Sequence, residues 1–352
     1  MDWTQDKNRD PLEDHRGWPR GKGREYSQKT VKRVRQLHRA LRKDAQEFFH
    51  GASAIRMTWQ QRYPLEEVPS IRHIGRIMAA EGLAAKPKRS SKGAAKYLCY
   101  PETTLYTGIS TRLLESDFIG QKFMRGRTAP LNFVGFSFKK APRLRWYQFI
   151  ESQTAEALLE QCARFFAEFE TPDAIKVDNA LAMSGSRSGK RSLSRFMFEM
   201  LRRQITPIFA VPRKPFSQAS IEGNNSVFSR AFWNRHEFTS EREIKEHLGW
   251  FNKSSERYCQ YQRPTSAPRR RRSWLPRIYF VRQVQSDECK RHGTISVMNE
   301  IIPVDPALIN YFVLAEWQPT NNRLLVWLEK ESKAEQVASV RLEQNINAKY
   351  KL

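Results

Sequence analysis

The stretch between Leu131 and Val177 constrains the fold more than any other part of the chain. Leu131–Phe138 and Leu144–Ile150 are short runs of apolar, aromatic and β-branched residues, separated by a break that contains Pro142. Such runs bounded by breakers are strand signals. The pattern then changes period. Over residues 154–169, Ala155, Leu158, Leu159, Cys162, Phe165, Phe166 and Phe169 fall on one face of a helix. A short strand, Ala174–Val177, follows and ends at Asp178. A chain that moves from a period of about two to about 3.6 and back builds a mixed α/β layer. The flanking segments continue it, with a strand at 117–123, a helix at 193–204, a strand at 208–211 and helices at 218–233 and 241–251.

Both ends of the chain read differently. Residues 1–27 form a flexible basic arm. Three helices follow, at 27–49, 52–63 and 70–82. The third has the clearest limits. Ser70 is a good N-cap, Ile71, Ile74, Ile77 and Met78 form one apolar stripe, and Gly82 with Leu83 suits a Schellman stop. Residues 85–109 read as a basic linker. Residues 253–276 read as an Arg-rich linker, since 263–277 holds six Arg, three Pro and no acid. Beyond it, short strands at 278–284, 293–297, 301–304, 311–314 and 324–328 suggest a small β-barrel over 277–330. The last twenty or so residues, 331–352, read as a charged helical tail. The expected chain is thus multidomain: a helical region at 28–84, an α/β core at 110–252 and a C-terminal barrel.

Charge narrows the function. Of the 352 residues, 61 are Lys or Arg and 37 are Asp or Glu, a net charge of +24. That excess points to a polyanionic partner, because each phosphate neutralised releases counterions. The 9 Trp and 21 Phe argue against a wholly disordered basic protein. Cys99, Cys162, Cys259 and Cys289 are scattered, without C-x-x-C spacing, so neither a zinc site nor a disulfide framework is suggested. No apolar run approaches membrane-spanning length and no signal-peptide core is present. The expected location is cytoplasmic, on the nucleoid if the source is bacterial.

Three acids end or flank apolar strands. Asp117 opens Asp-Phe-Ile-Gly, Asp178 closes Ile-Lys-Val-Asp, and Glu222 lies on a helix after Pro212 and Pro215. Glu115 is a near neighbour competing for the first place. Phosphodiester transfer requires hard oxygen ligands that hold two Mg²⁺ ions about 3.5–4 Å apart. Two carboxylates on neighbouring strands and a third on a facing helix meet that need. A helix over 218–233 sets Glu222, Asn225, Ser226 and Ser229 on a polar flank, and Ile221, Phe228, Ala231 and Phe232 toward a core. Spacing alone leaves the ordinary alternative open, that these are solvated or capping carboxylates.

Residues 110–252 resemble the catalytic core of retroviral integrases and bacterial insertion-sequence DDE transposases. The resemblance lies in Glu-Ser-Asp-Phe-Ile-Gly, Ile-Lys-Val-Asp-Asn-Ala and Pro-Arg-Lys-Pro-Phe-Ser-Gln-Ala-Ser-Ile-Glu-Gly-Asn-Asn. It implies a ribonuclease-H-like fold, with Asp117, Asp178 and Glu222 as catalytic residues binding two Mg²⁺ or Mn²⁺ ions. The chain departs from the family in having Ala180, where Gly is common, and in a wider spacing between Asp178 and Glu222. The three N-terminal helices resemble the helix-turn-helix of such transposases. Arg72, His73 and Arg76 share the face opposite the Ile stripe, and Ser70 can meet a phosphate. The alternative is an ordinary solvated basic face. Lys214, Asn225, Arg230 and the run Arg269, Arg270, Arg271 and Arg272 are further DNA-contact candidates; for the Arg run phosphate contact is favoured over a solvated linker or a targeting signal.

The resemblance implies metal-dependent cleavage at transposon ends and transfer of the 3′-hydroxyl into target DNA. The expected partners are double-stranded DNA, further copies of the chain assembled on DNA, and in some elements an accessory ATPase. Two rivals stand beside it: a domesticated DNA-binding protein without catalysis, and a nuclease of the same fold that does not join.

Overall fold

The computed structural model describes residues 26–84, 112–138, 140–186, 188–213, 218–262, 275–287, 292–330 and 333–352. The chain forms two compact units. One holds the N-terminal helices; the other holds residues 45–49 and everything from residue 89 onward.

The smaller unit contains α1 (Gln28–Lys43), α2 (Ala52–Arg62) and α3 (Ile71–Ala80). Ser27 caps α1 by accepting from Thr30 N, and Ser70 caps α3 by accepting from His73 N. Val34, Leu37, Leu41, Ala54, Ile55, Trp59, Ile74, Ile77 and Met78 are buried. Ile71 leaves the expected stripe, being 48% exposed. Gly82 adopts φ +65°, and Leu83 N donates to Met78 O at 2.8 Å, which is the expected Schellman stop. Arg33 and Trp59 converge on Glu66, at 2.7 and 2.9 Å, tying α1, α2 and the following turn together. Helix α1 stops at Lys43 instead of Phe49. Phe48 is buried in the larger unit, against Phe232 and Phe251.

The larger unit is built on one nine-stranded mixed sheet. Its strands are β1 (Leu113–Lys122), β2 (Leu131–Phe138), β3 (Leu144–Ile150), β4 (Ala174–Val177), β5 (Thr206–Phe209), β6 (Ile278–Gln283), β10 (Phe312–Gln318), β11 (Arg323–Lys330) and β12 (Lys333–Arg341). Their order is β12-β11-β10-β6-β5-β4-β1-β2-β3. Strands β1, β2 and β3 form an antiparallel meander, β4 lies parallel to β1, and β5 parallel to β4. A second sheet contains β7 (Gln285–Ser286), β8 (Gly293–Val297) and β9 (Glu300–Val304).

Helices cover both faces of the meander side. Helix α4 (Ala155–Glu168), the single turn α5 (Leu181–Ser184) and α6 (Arg195–Arg202) pack with Val134, Phe136, Phe138 and Trp146. Helices α7 (Ala219–Ala231) and α8 (Glu241–Cys259) pack on the other face, against Leu131, Phe133 and Tyr147. Alternation along β2 and β3 assigns these two sets to opposite faces.

Four expectations are corrected here. Strand β1 starts at Leu113, so Asp117 sits mid-strand and does not open it. Glu115 and Ser116 are buried yet polar, and this concealed the first half of the strand. Helix α8 runs to Cys259, taking residues 253–259 from the expected linker. Its inner face is polar there: Asn252 accepts from Tyr147 N at 3.0 Å and donates to Tyr147 O at 2.7 Å, pairing with β3 as a neighbouring strand would. The expected charged helical tail is instead strand β12 as far as Arg341, paired with β11. The C-terminal strands also do not stand apart as a free barrel. Strand β6 pairs in parallel with β5, through Ile208 opposite Tyr279 and Phe209 opposite Phe280. One hydrophobic cluster runs from Phe136 and Phe165 to Val326 and Leu342.

Candidate active site

Asp117 lies on β1, near the middle of the sheet, opposite Gly135 of β2. Strands β1 and β4 pair with Leu113 opposite Ala174, Leu114 opposite Ile175 and Glu115 opposite Lys176. Two residues further along that register, Asp117 comes beside Asp178. Directly opposed residues share a sheet face, so both carboxylates project on the same side. Gly135 and Tyr147 are opposed in turn, and Tyr147 packs against Phe228 of α7. The Asp117 face is therefore the α7 face.

Helix α7 is anchored by Ile221, Phe228 and Phe232, all with 0% exposure. Its buried polar side is also fixed. Asn224 Nδ2 donates to Ser137 Oγ at 2.7 Å, and Tyr147 Oη donates to Asn224 O at 2.9 Å. One position on, Asn225 Nδ2 donates to Asp117 Oδ2 at 3.0 Å. Gly135 makes this approach possible, since a Cβ there would stand 3.3 Å from Asn225 Oδ1 and 3.4 Å from the Tyr147 ring. Glu222 occupies the first turn of α7, where the positive end of the helix dipole favours a carboxylate.

The three acids share an unfavourable environment. The Asp117 carboxyl is pushed up from its ordinary 3.8 to about 7, chiefly by burial and then by the charges of Asp178 and Glu222. Burial also raises Asp178, against the pull of a hydrogen bond from Ala180 N at 2.9 Å, and raises the more exposed Glu222. Among the described residues, no Lys or Arg pairs with any of the three. Glu115 is separate: it is buried, deeper along β1, directly across the ladder from Lys176.

The donor set suits a hard divalent cation: carboxylate oxygens, with the buried Asn225 Oδ1 also lacking a hydrogen bond among the described residues. The arrangement is not closed, however. Among the described residues, no three His, Cys, Asp or Glu side chains converge tightly enough to enclose a metal ion.

The loop carrying Asp178 is braced from the C-terminal strands, a feature the sequence reading missed. Asn179 Nδ2 donates to Ala210 O at 2.7 Å, and Arg282 of β6 donates to Asn179 Oδ1 at 3.1 Å. The available signal was a lone arginine within the apolar run Ile-Tyr-Phe-Val-Arg-Gln. Of the other candidates, Asn225 has its amide turned to Asp117, and Arg230 is exposed with its Nε on Ser226 O at 3.3 Å. On α3, Arg72 and His73 are exposed and Arg76 is half-buried. Lys214 and Arg269–Arg272 lie outside the described residues. No helix among the described residues is long and apolar enough to cross a membrane.

No family model matches the chain, and no curated protein matches it. Among solved structures, it is similar to a chain of the simian T-cell lymphotropic virus intasome in complex with PP2A regulatory subunit B56 gamma, determined by cryo-electron microscopy. The match covers 89% of this chain and 99% of that one, at 10% identity and a TM-score of 0.37. An overlap so loose decides nothing about the site, whose geometry has to carry its own reading.

Proposed function

We propose that this chain is a DNA transposase of the DDE type, with a ribonuclease-H-like core and a helix-turn-helix in its N-terminal unit. One observation carries the reading: a mid-sheet aspartate, an aspartate at the end of the parallel neighbour strand, and a glutamate on a helix covering the same face. The strand order β3-β2-β1-β4-β5, with only β2 antiparallel to its neighbours, supports it. So does a net charge of +24, suited to a polyphosphate substrate.

In this reading Asp117, Asp178 and Glu222 hold two Mg²⁺ or Mn²⁺ ions. When bound, such ions activate an attacking hydroxyl and stabilise the leaving oxygen. The chain's own residues prepare the place. Gly135 lets Asn225 reach and orient Asp117, and Arg282 with Asn179 fixes the loop of Asp178. Water attacks at an element end and frees a 3′-hydroxyl, which then attacks target DNA without a covalent protein–DNA intermediate. Ser70, Arg72, His73 and Arg76 meet the element end; Lys214, Arg230 and Arg269–Arg272 follow phosphates. Copies of the chain assemble on paired ends, each acting on the end held by another.

The test is cleavage and joining of the element's terminal repeats in Mg²⁺. Glu222→Gln and Asp178→Asn should each abolish both steps while leaving DNA binding intact. Joining that survives either change would remove that residue from the site. Cleavage without joining in the wild type would favour a nuclease.

A further inference from the structure

Arg282 is 8% exposed, and its guanidinium is held entirely by neutral acceptors. Nε donates to Ser296 O at 2.7 Å, Nη1 to Ala210 O at 3.1 Å and Val281 O at 2.8 Å, and Nη2 to Asn179 Oδ1 at 3.1 Å. Among the described residues no carboxylate pairs with it. A buried cation without an anion is costly, and natural chains keep one chiefly where something compensates it. Burial alone draws this guanidinium down to about 9, the direction expected of an unpaired charge.

The same arginine lines a cleft of about 580 Å³ between the loop that follows β4 and strands β6 and β8. That volume lies within the range of small-molecule sites. Arg213, held at φ +57°, also lines it, and no Asp or Glu is among its described lining residues. Leu181, 52% exposed, and Met298 supply apolar wall, while Asn299, whose Nδ2 donates to Ser186 O and Gly189 O, supplies an amide oxygen. Two cations, an apolar wall and an amide oxygen complement a phosphate joined to a flat heterocycle. The cleft begins at Asn179, the residue after Asp178.

We propose that this cleft receives one unpaired nucleotide of the strand being processed, its phosphate on Arg282 and Arg213 and its base against Leu181 and Met298. The proposal rests on DNA being the substrate. It extends that reading to a site for a single strand beside the cutting centre, distinct from the duplex-reading helices.

The probe is a labelled, 5′-phosphorylated thymidine tetranucleotide, titrated by fluorescence anisotropy into the full chain with EDTA present. Ser296→Phe fills the cleft from an exposed side chain, and Arg213→Ala removes a cation; neither disturbs the hydrogen bonds of Arg282. Each should weaken tetranucleotide binding about tenfold, the scale of one charge-assisted hydrogen bond, with duplex affinity unchanged. Circular dichroism and melting checks that both variants are folded. An abasic tetranucleotide should bind more weakly than the intact probe. Unchanged tetranucleotide affinity in Ser296→Phe would overturn the assignment. Equal loss for duplex and tetranucleotide would overturn it too, as would inorganic phosphate competing as well as the probe. Wild-type binding to duplex is read separately. Its absence, with tetranucleotide binding retained, would sink the transposase reading and leave the cleft standing.

Discussion

Replacing Asp117 by Asn should stabilise the metal-free protein while destroying its activity. The carboxyl is raised from 3.8 to about 7 by burial and by two neighbouring anions. A carboxylate shifted in that direction favours the folded state below its unfolded value and weakens it as pH climbs toward the folded value. Its contribution is therefore intact below about pH 3.8, is lost progressively across the interval, and is fully lost above about pH 7. Each tenfold change in proton affinity is worth about 1.4 kcal/mol, so the ceiling at pH 8 is about 4 kcal/mol. Part of that is recovered by local relaxation and water, leaving an expected gain of roughly 2–4 kcal/mol for Asp117→Asn. Asn is nearly isosteric and still accepts from Asn225. The assay is urea unfolding in EDTA, at pH 8 and pH 4.5, for wild type and variant. The variant should be more stable at pH 8, with the gap shrinking at pH 4.5. Mn²⁺ should stabilise the wild type at pH 8 and do less for the variant, because a ligand stabilises only the state that binds it. A variant less stable than wild type at pH 8 would refute the electrostatic argument. Equal stabilisation of both proteins by Mn²⁺ would refute the metal assignment.

Gly135→Ala should push against Asn225 and the Tyr147 ring, costing about 1–3 kcal/mol of stability and depressing cleavage more than duplex binding; unaltered cleavage would mean that the hydrogen bond from Asn225 to Asp117 is dispensable. Asn252→Ala removes both hydrogen bonds to β3 and should cost about 1–3 kcal/mol by denaturant unfolding, a near-neutral result arguing against the strand-like pairing. Arg72→Ala with Arg76→Ala should erase preference for element ends over random duplex in competition binding, by about 1–3 kcal/mol for each base that is no longer read. If the double variant instead weakens all duplexes equally, α3 follows phosphates and does not read bases.

Much of this protein was legible in its sequence because local burial patterns are periodic. β2 and β3 carry dense apolar and aromatic residues, and α4 carries Phe165, Phe166 and Phe169 at helical spacing, so their limits followed directly. The stop of α3 at Gly82 was equally local, since a left-handed turn there needs only glycine and a returning apolar residue. Asp178 was visible because a strand of four buried residues ends on it. The rest depended on partners distant in the chain. Glu115, Ser116 and Asn252 are polar and buried, which no periodicity signals; for Asn252 the burial is offset by the backbone of Tyr147 on another element. Asn225 read as a DNA-contact candidate on the polar flank of its helix; the structure turns its amide to Asp117, across the space left by Gly135. Arg282 drew no reading from the sequence, because only the pairing of β6 with β5 sets it against Asn179. The run of residues determined most of the strands and helices of the core; strand pairing across long separations decided that the tail is a strand, which acids meet, what raises their proton affinity and what holds them.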